Sequence, residues 1–328
     1  MKELLERLIQ RDNLSVKESR NLMHSLLLES TAEAEIAAVL TALQMRGPTL
    51  DELDGFSQAV QELCIAVDLG DHSLIDVCGT GGDHKGSFNI STTVAFVLAG
   101  AGYKVAKHGN YAVSSSCGSS NVLEALGVKL TADREQALRG IEEAGVCFLH
   151  APLFHPVLKR VQPVRKSLGI RTVFNVLGPL VNPARPQFHY AGVYDLELQR
   201  LYSYLFTRRG KRFAVVHSLD GYDEISLTGT ARVAYEEGVA DLSSHDFGFD
   251  VVEAEQLRGG ETPQESAAIV RAVLEGSATA AQECAVVANA AVAMWRYEGR
   301  GSLGEWVEKA TESIRSGRAQ EALVQSIG

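Results

Sequence analysis

The sequence is poor in cysteine and aromatic residues and has no long apolar run. Its five cysteines (Cys64, Cys78, Cys117, Cys147 and Cys284) are scattered through 328 residues, odd in number and without a C-x-x-C pair. That excludes a disulfide framework and a zinc ribbon, and it fits a reducing, cytoplasmic setting. A membrane span would need about 18 uninterrupted apolar residues. The nearest stretch, 276–295, is interrupted by Gln282, Glu283 and Asn289, so no membrane association is expected. The opening MKELLERLIQRD has no apolar core of the kind a secretory signal requires. Positive charge is also short: 31 Lys+Arg against 41 Asp+Glu give a net charge of −10. The field of such a molecule repels nucleic acid, so nucleic acid is not an expected partner. There is no low-complexity tract and no repeat of fixed period.

What remains is ordinary globular composition, 45% hydrophobic and 22% charged. At roughly 150 residues per domain the length suggests about two domains. Leu4, Leu5, Leu8 and Ile9 make an apolar helical stripe, and Ser15 with Glu18, Ser30 with Glu33, and Thr49 with Glu52 each match the S/T-x-x-E capping box. Four short helices are expected before residue 70. From residue 73 the pattern changes to short apolar runs, SLIDVCG, KVAKHG (104–109), VCFLHA (146–151), FHYAGVY (188–194) and FAVVHS (213–218), separated by helical stretches at 91–101, 119–126 and 195–208. Such alternation implies a mainly parallel sheet. The expected organisation is a small all-helical domain over 1–70, joined by helices around 157–175, and a larger α/β domain over 71–328. The segment 157–171 is basic, carrying Lys159, Arg160, Arg165, Lys166 and Arg171, and is expected to be helical and to pack on the N-terminal helices. Apolar periodicity predicts three further helices, in 266–274, 281–295 and 303–314.

Three polar motifs could carry chemistry. In DVCGTGGDHKGSFNIST (76–92), Gly79, Gly81 and Gly82 let main-chain amides approach an anion, and Ser91 and Thr92 open the next helix, whose free N–H groups favour negative charge. A bare tight turn is the alternative, but Asp83, Ser87 and Asn89 add more polar groups than a turn requires. KHGNYAVSSSCGSS (107–120) offers Lys107 at a strand end and the hydroxyls of Ser114, Ser115, Ser116, Ser119 and Ser120 before a helix. It reads as a second phosphate loop or as a Ser-rich linker. HSLDGYDEISLTG (217–229) places Asp220, Asp223 and Glu224 after another strand, either as Mg²⁺ ligands or as solvated acids in an Asp-Gly turn. His24, His72, His150, His155, His189, His217 and His245 show no metal-ligand spacing.

Together, and in this order, these motifs resemble anthranilate phosphoribosyltransferases. The likeness spans essentially the whole chain: GTGGD with FNIST, KHGN with the serine run and VLEALG, VRKSLGIRTVFNVLGPLVNP, and DGYDEIS. It implies a fold like that of nucleoside phosphorylases and phosphoribosyltransferases, a homodimer built through the helical domain, and Mg²⁺-dependent transfer of the phosphoribosyl group of phosphoribosyl pyrophosphate to the amine of anthranilate. Carried over to this sequence, the resemblance assigns phosphoribosyl pyrophosphate to Gly79, Gly82, Asp83, Ser87, Asn89, Ile90, Ser91, Thr92, Lys107, His108, Gly109, Asn110, Tyr111, Ala112, Val113, Ser114, Ser115 and Ser119. It assigns anthranilate to Gly79, Asn110 and Arg165, and two Mg²⁺ ions to Ser91, Asp223 and Glu224. Read alone, Arg165 is a solvated helix charge; beside an anthranilate carboxylate its guanidinium has the geometry for a bidentate pair.

Two positions depart from the family pattern. Tyr111 stands where Arg is usual after KHGN, and Ser116 where a Lys or Arg is usual, so Lys107 and main-chain amides must supply more of the phosphate binding. Ser120 and Asn121 replace the common Ala-Asp pair. The implied reaction needs no side-chain nucleophile and no strong base, because an arylamine already presents a lone pair; His108 is a candidate for orientation only. The alternatives are a pyrimidine-nucleoside phosphorylase, whose nucleophile would be inorganic phosphate, and a non-catalytic relative that binds nucleic acid.

Overall fold

A computed structural model of the chain describes residues 1–111 and 117–327. It divides into two compact units, one of Met1–Val67 with Ala151–Arg185, the other of Asp68–His150 with Pro186–Gly328.

The first unit is helical. Its N-terminal part holds helices Lys2–Ile9, Val16–Leu26, Glu33–Arg46 and Leu50–Glu62. Two of the expected capping boxes form: Ser15 N–H donates to the Glu18 carboxylate (2.9 Å), and Thr49 N–H to that of Glu52 (2.9 Å), while each hydroxyl accepts from the N–H of its glutamate. Glu52 does more than cap, since it also accepts from Leu14 N–H (2.9 Å) and pairs with Arg46 (2.6 Å). The Ser30–Glu33 box does not form. The helix starts two residues later than that box requires, and Glu35 accepts from Ala32 N–H (3.2 Å) instead. The basic segment is not one helix either. It breaks into a 3₁₀ turn, Pro156–Arg160, and a helix, Gln162–Leu168, because Pro163 has no N–H for a continuous ladder and is tolerated only in a first turn. Arg160 donates to the carbonyls of Leu28 and Thr31, which fastens the segment to the N-terminal helices.

The second unit is built on a seven-stranded sheet of order β3-β2-β1-β4-β5-β6-β7. The strands are β1 Leu74–Val77, β2 Lys104–Gly109, β3 Val146–His150, β4 Phe188–Gly192, β5 Arg212–Ser218, β6 Ala231–Tyr235 and β7 Gly238–Leu242. The five expected strands are all present and run parallel. The antiparallel hairpin β6–β7 was not foreseen: its turn is Glu236–Glu237, without the Gly or Asn that marks most two-residue turns. Apolar helices cover the sheet, among them Ile90–Gly100 and Ala280–Glu298, whose buried Val, Ala, Phe and Met residues join the strands in one core. Helices Pro263–Leu274 and Leu303–Arg315 match two further expected stretches, and a helix at Arg318–Ile327 follows. Among the described residues no helix is long and apolar enough to cross a membrane.

The strand order fixes where a ligand can bind. From β1 the chain goes outward one way to β2 and β3, and the other way to β4 and β5, so the loops after β1 and β4 diverge. In open α/β sheets that divergence leaves a crevice at the carboxyl ends of the strands. The GTGGD loop leaves β1 at that crevice.

Candidate active site

The loop after β1 is anchored from both sides. At its start Thr80 N–H donates to the Gly192 carbonyl at the end of β4 (2.9 Å), and Gly81 and Gly82 take φ of +62° and +84°, a region that L side chains avoid. At its far limb Gly259 N–H donates to Gly86 O (2.8 Å) and Phe88 N–H to Leu257 O (2.9 Å), with Ser87 opposite Arg258 in an isolated antiparallel bridge. Asn89 Nδ2 donates to the Cys117 carbonyl (3.3 Å), which ties this loop to the one after β2. Ile90 is buried in the core and can offer a ligand only its main chain. Thr92 is equally buried, and its Oγ1 finds no hydrogen-bond partner among the described residues.

Lys107, on β2, is buried, and its Nζ donates to the Val77 carbonyl and to Ser91 Oγ (3.3 Å). His108 is buried beside it, its N–H donating to Asp76 Oδ1 on β1 (3.1 Å). Asn110 and Ser119 are joined twice: Asn110 N–H donates to Ser119 Oγ, and that hydroxyl donates to Asn110 O, both at 3.2 Å. Tyr111 is partly exposed and donates its phenol to Glu124 (2.9 Å). Ala112, Val113, Ser114 and Ser115, together with Ser116, lie outside the described residues.

Asp223 and Glu224 are not solvated turn acids, because both are buried. Glu224 accepts from Ser91 N–H at the start of the helix (3.2 Å), and Asp83 Oδ2 accepts from Asp223 N–H (3.4 Å). Burial, with the Asp83 and Glu224 charges added, holds the Asp223 carboxyl well above the usual carboxylate range. Burial likewise pushes Glu224 up to about 7, against the opposing effect of the Lys107 ammonium. Carboxylates forced together in a low-dielectric site are relieved by a cation. Two carboxylates and a serine hydroxyl suit Mg²⁺, which keeps places for water and phosphate oxygens. Among the described residues no three His, Cys, Asp or Glu side chains form a closed metal cage. Asp220, by contrast, is exposed and accepts from the Thr228 hydroxyl.

Two residues outside the three motifs shape this acid pair. Gly192 leaves room for it, since a Cβ there would lie 1.8 Å from the Asp223 carbonyl oxygen. Asn289, fully buried on Ala280–Glu298, accepts from Ile225 N–H (2.9 Å) and Tyr190 OH (2.6 Å) and donates to Ile225 O (2.9 Å) and Ala285 O (2.8 Å). A polar residue inside an apolar helical pattern was the only sequence signal for it.

Arg165 belongs to the helical unit, whereas Gly79 and Asn110 belong to the α/β unit. It is half-buried, with its guanidinium 5.4 Å from the Phe174 ring centroid and Nη2 3.4 Å from Asn175 Oδ1. No carboxylate pairs with it among the described residues, and burial pushes its pKa down. A half-buried cation without an internal counter-charge fits an anionic ligand better than it fits a solvated helix face.

Residues 2–64 match the helical bundle domain of a glycosyl transferase family, and residues 71–320 match that family's a/b domain. An anthranilate phosphoribosyltransferase of Cytophaga hutchinsonii is 46% identical over 327 residues, covering 100% of both chains. The chain belongs to the anthranilate phosphoribosyltransferase family. Another anthranilate phosphoribosyltransferase, from Christiangramia forsetii, is 47% identical over 97% of this chain and 96% of its own. The crystal structure of the Thermus thermophilus anthranilate phosphoribosyltransferase matches with a TM-score of 0.92 at 37% identity, covering 98% of each chain. That of the Saccharomyces cerevisiae anthranilate phosphoribosyltransferase in complex with PRPP and Mg matches with a TM-score of 0.91 at 28% identity, covering 98% of this chain and 95% of the other.

Proposed function

We propose that this chain transfers the 5-phosphoribosyl group of phosphoribosyl pyrophosphate to the amine of anthranilate, giving N-(5-phosphoribosyl)anthranilate and pyrophosphate. The observation that supports this most is the meeting of Ser91, Lys107 and Glu224 where β1 and β2 end. A helix N-terminus, a buried ammonium and buried carboxylates together answer to a polyphosphate bound with a divalent cation. The yeast relative has been crystallised with PRPP and Mg, and also with 4-fluoroanthranilate.

In this reading the 79–92 loop binds the diphosphate through main-chain N–H groups and the hydroxyls of Ser87 and Ser91, and Lys107, Asn110 and Ser119 serve the same ligand. Lys107 places a fixed positive charge beside the diphosphate. Ser91, Asp223 and Glu224 would hold two Mg²⁺ ions, whose chemistry there is neutralisation of the departing pyrophosphate. Arg165 offers its guanidinium to the anthranilate carboxylate. The C1–O bond to pyrophosphate breaks, the amine lone pair forms the C1–N bond, and the amine proton leaves to solvent. No side chain acts as nucleophile or base, and His108, buried and bonded through its N–H to Asp76, serves only to shape the site. The buried acid pair weighs against a nucleoside phosphorylase, which would bring inorganic phosphate as nucleophile without needing that pair.

The family kinship supports a homodimer built through the helical unit and a cytoplasmic location. Light scattering that reads a mass of one 35.4 kDa chain would overturn the dimer. For the reaction, purified protein is mixed with phosphoribosyl pyrophosphate, anthranilate and Mg²⁺. The fluorescence of anthranilate should fall as pyrophosphate appears, and a rate no faster than that of an EDTA-treated control would defeat the proposal.

A further inference from the structure

Tyr111 is held by three neighbours. Its N–H donates to Asn110 Oδ1 (2.8 Å), its ring meets His150 edge-on with centroids 4.6 Å apart, and its phenol donates to Glu124 Oε1 (2.9 Å). The circuit closes through His150, whose Nδ1 is 2.7 Å from Ser120 Oγ, because Ser120 N–H donates to Asn110 O (3.1 Å). A phenol has one proton to give. With that proton committed to Glu124, the Tyr111 oxygen presents only lone pairs and cannot donate to a phosphate. The residue therefore acts by fixing the chain at Asn110, and Glu124 is what holds it there. Glu124 lies on the exposed side of the helix Ser119–Leu126, two turns at most from Ser119, which is itself bonded to Asn110.

We propose that Glu124 is a positioning residue for phosphoribosyl pyrophosphate: by accepting the Tyr111 phenol it sets Asn110 against Ser119 and so holds the described start of the 107–119 loop in its binding geometry. This rests on the phosphoribosyl-transfer reading, in which that loop contacts the substrate. It adds a residue that touches no ligand.

The test is a double-mutant cycle on the full chain, read as the Kd of phosphoribosyl pyrophosphate by calorimetry in saturating Mg²⁺. Glu124→Ala should weaken binding about fivefold, the order expected when one coupled contact is lost. Glu124→Gln, whose amide oxygen still accepts, should stay within about twofold of wild type. In a Tyr111→Phe background, Glu124→Ala should add nothing further. An unmoved Kd in Glu124→Ala, a Tm loss with no change in Kd, or equal losses in both backgrounds overturns the proposal while leaving the reaction intact. A wild-type chain that binds no phosphoribosyl pyrophosphate overturns the parent reading and this proposal together.

Discussion

Asn289 grips Ile225 by both main-chain groups, accepting its N–H and donating to its carbonyl at 2.9 Å each, and so fixes the residue next to Glu224. Asn289→Leu keeps the branching of the side chain but leaves the Tyr190 hydroxyl and two Ile225 groups unsatisfied, at about 1–3 kcal/mol for each buried group. The variant should lose several degrees of Tm and need more Mg²⁺ for half-maximal rate. An unchanged Mg²⁺ requirement in folded protein would separate Asn289 from the acid pair.

Asp223→Asn and Glu224→Gln should each lower turnover more than about tenfold, since that corresponds to about 1.4 kcal/mol of transition-state stabilisation. Raised Mg²⁺ should restore part of the rate. Because burial disfavours both charges, the two amides should also raise Tm, and a fall in Tm would mean that the carboxylates stabilise the fold.

Arg165→Ala should raise the KM for anthranilate and leave that for phosphoribosyl pyrophosphate within a few fold, as expected when one substrate loses its ion pair. Aniline, which has no carboxylate, should lose its disadvantage against anthranilate in this variant. If both KM values rise together, the role of Arg165 is in packing on Phe174.

Gly192→Ala is expected to be among the most damaging single changes, because its Cβ would overlap the Asp223 carbonyl oxygen and the backbone cannot yield as a side chain can. A loss of about 3 kcal/mol or more in urea unfolding, or insolubility, is anticipated. Gly178, whose Cβ would meet nothing within 4 Å, is the control that should tolerate alanine.

His189 supplies a pH dependence unrelated to catalysis. It is buried on β4, its ring stacked on Phe206 at 4.8 Å, and burial pushes its pKa down to about 3. The folded value lies below the unfolded one of about 6.5, so its contribution is full above pH 6.5 and declines as pH falls toward 3, where the unfolded chain takes up a proton that the fold refuses. Between pH 7 and 5 wild type should lose up to about 2 kcal/mol more than His189→Phe. Parallel pH profiles of the urea midpoint would exclude His189 as the cause.

Much of this architecture was legible because its signals are local. β2 and the helix Ser119–Leu126 carry their own start and stop residues, and they occupy the spans their patterns indicate. The β6–β7 hairpin escaped because its Glu-Glu turn resembles a solvated loop and β7 carries an exposed Val239 in place of a clean apolar face. The Gly79–Thr92 and Asp223–Glu224 segments were legible in the sequence as residue types. Their support was not, since Leu257, Gly259 and Asn289 reach these segments from parts of the chain distant in sequence. Burial was the other blind spot: nothing local distinguishes the buried Asp223 from the exposed Asp220 three residues earlier.

The helical unit is written in two pieces, with β1, β2 and β3 encoded between them. Arg160 reaches the Leu28 and Thr31 carbonyls from more than a hundred residues away, so their guanidinium partner is added only after all three strands have been made, although Leu28 O already accepts from Thr31 N–H at 3.2 Å. The earlier piece of this unit is therefore completed only by the later one. A fragment ending near Val67 would have the four helices but not the Ala151–Arg185 piece that completes their unit.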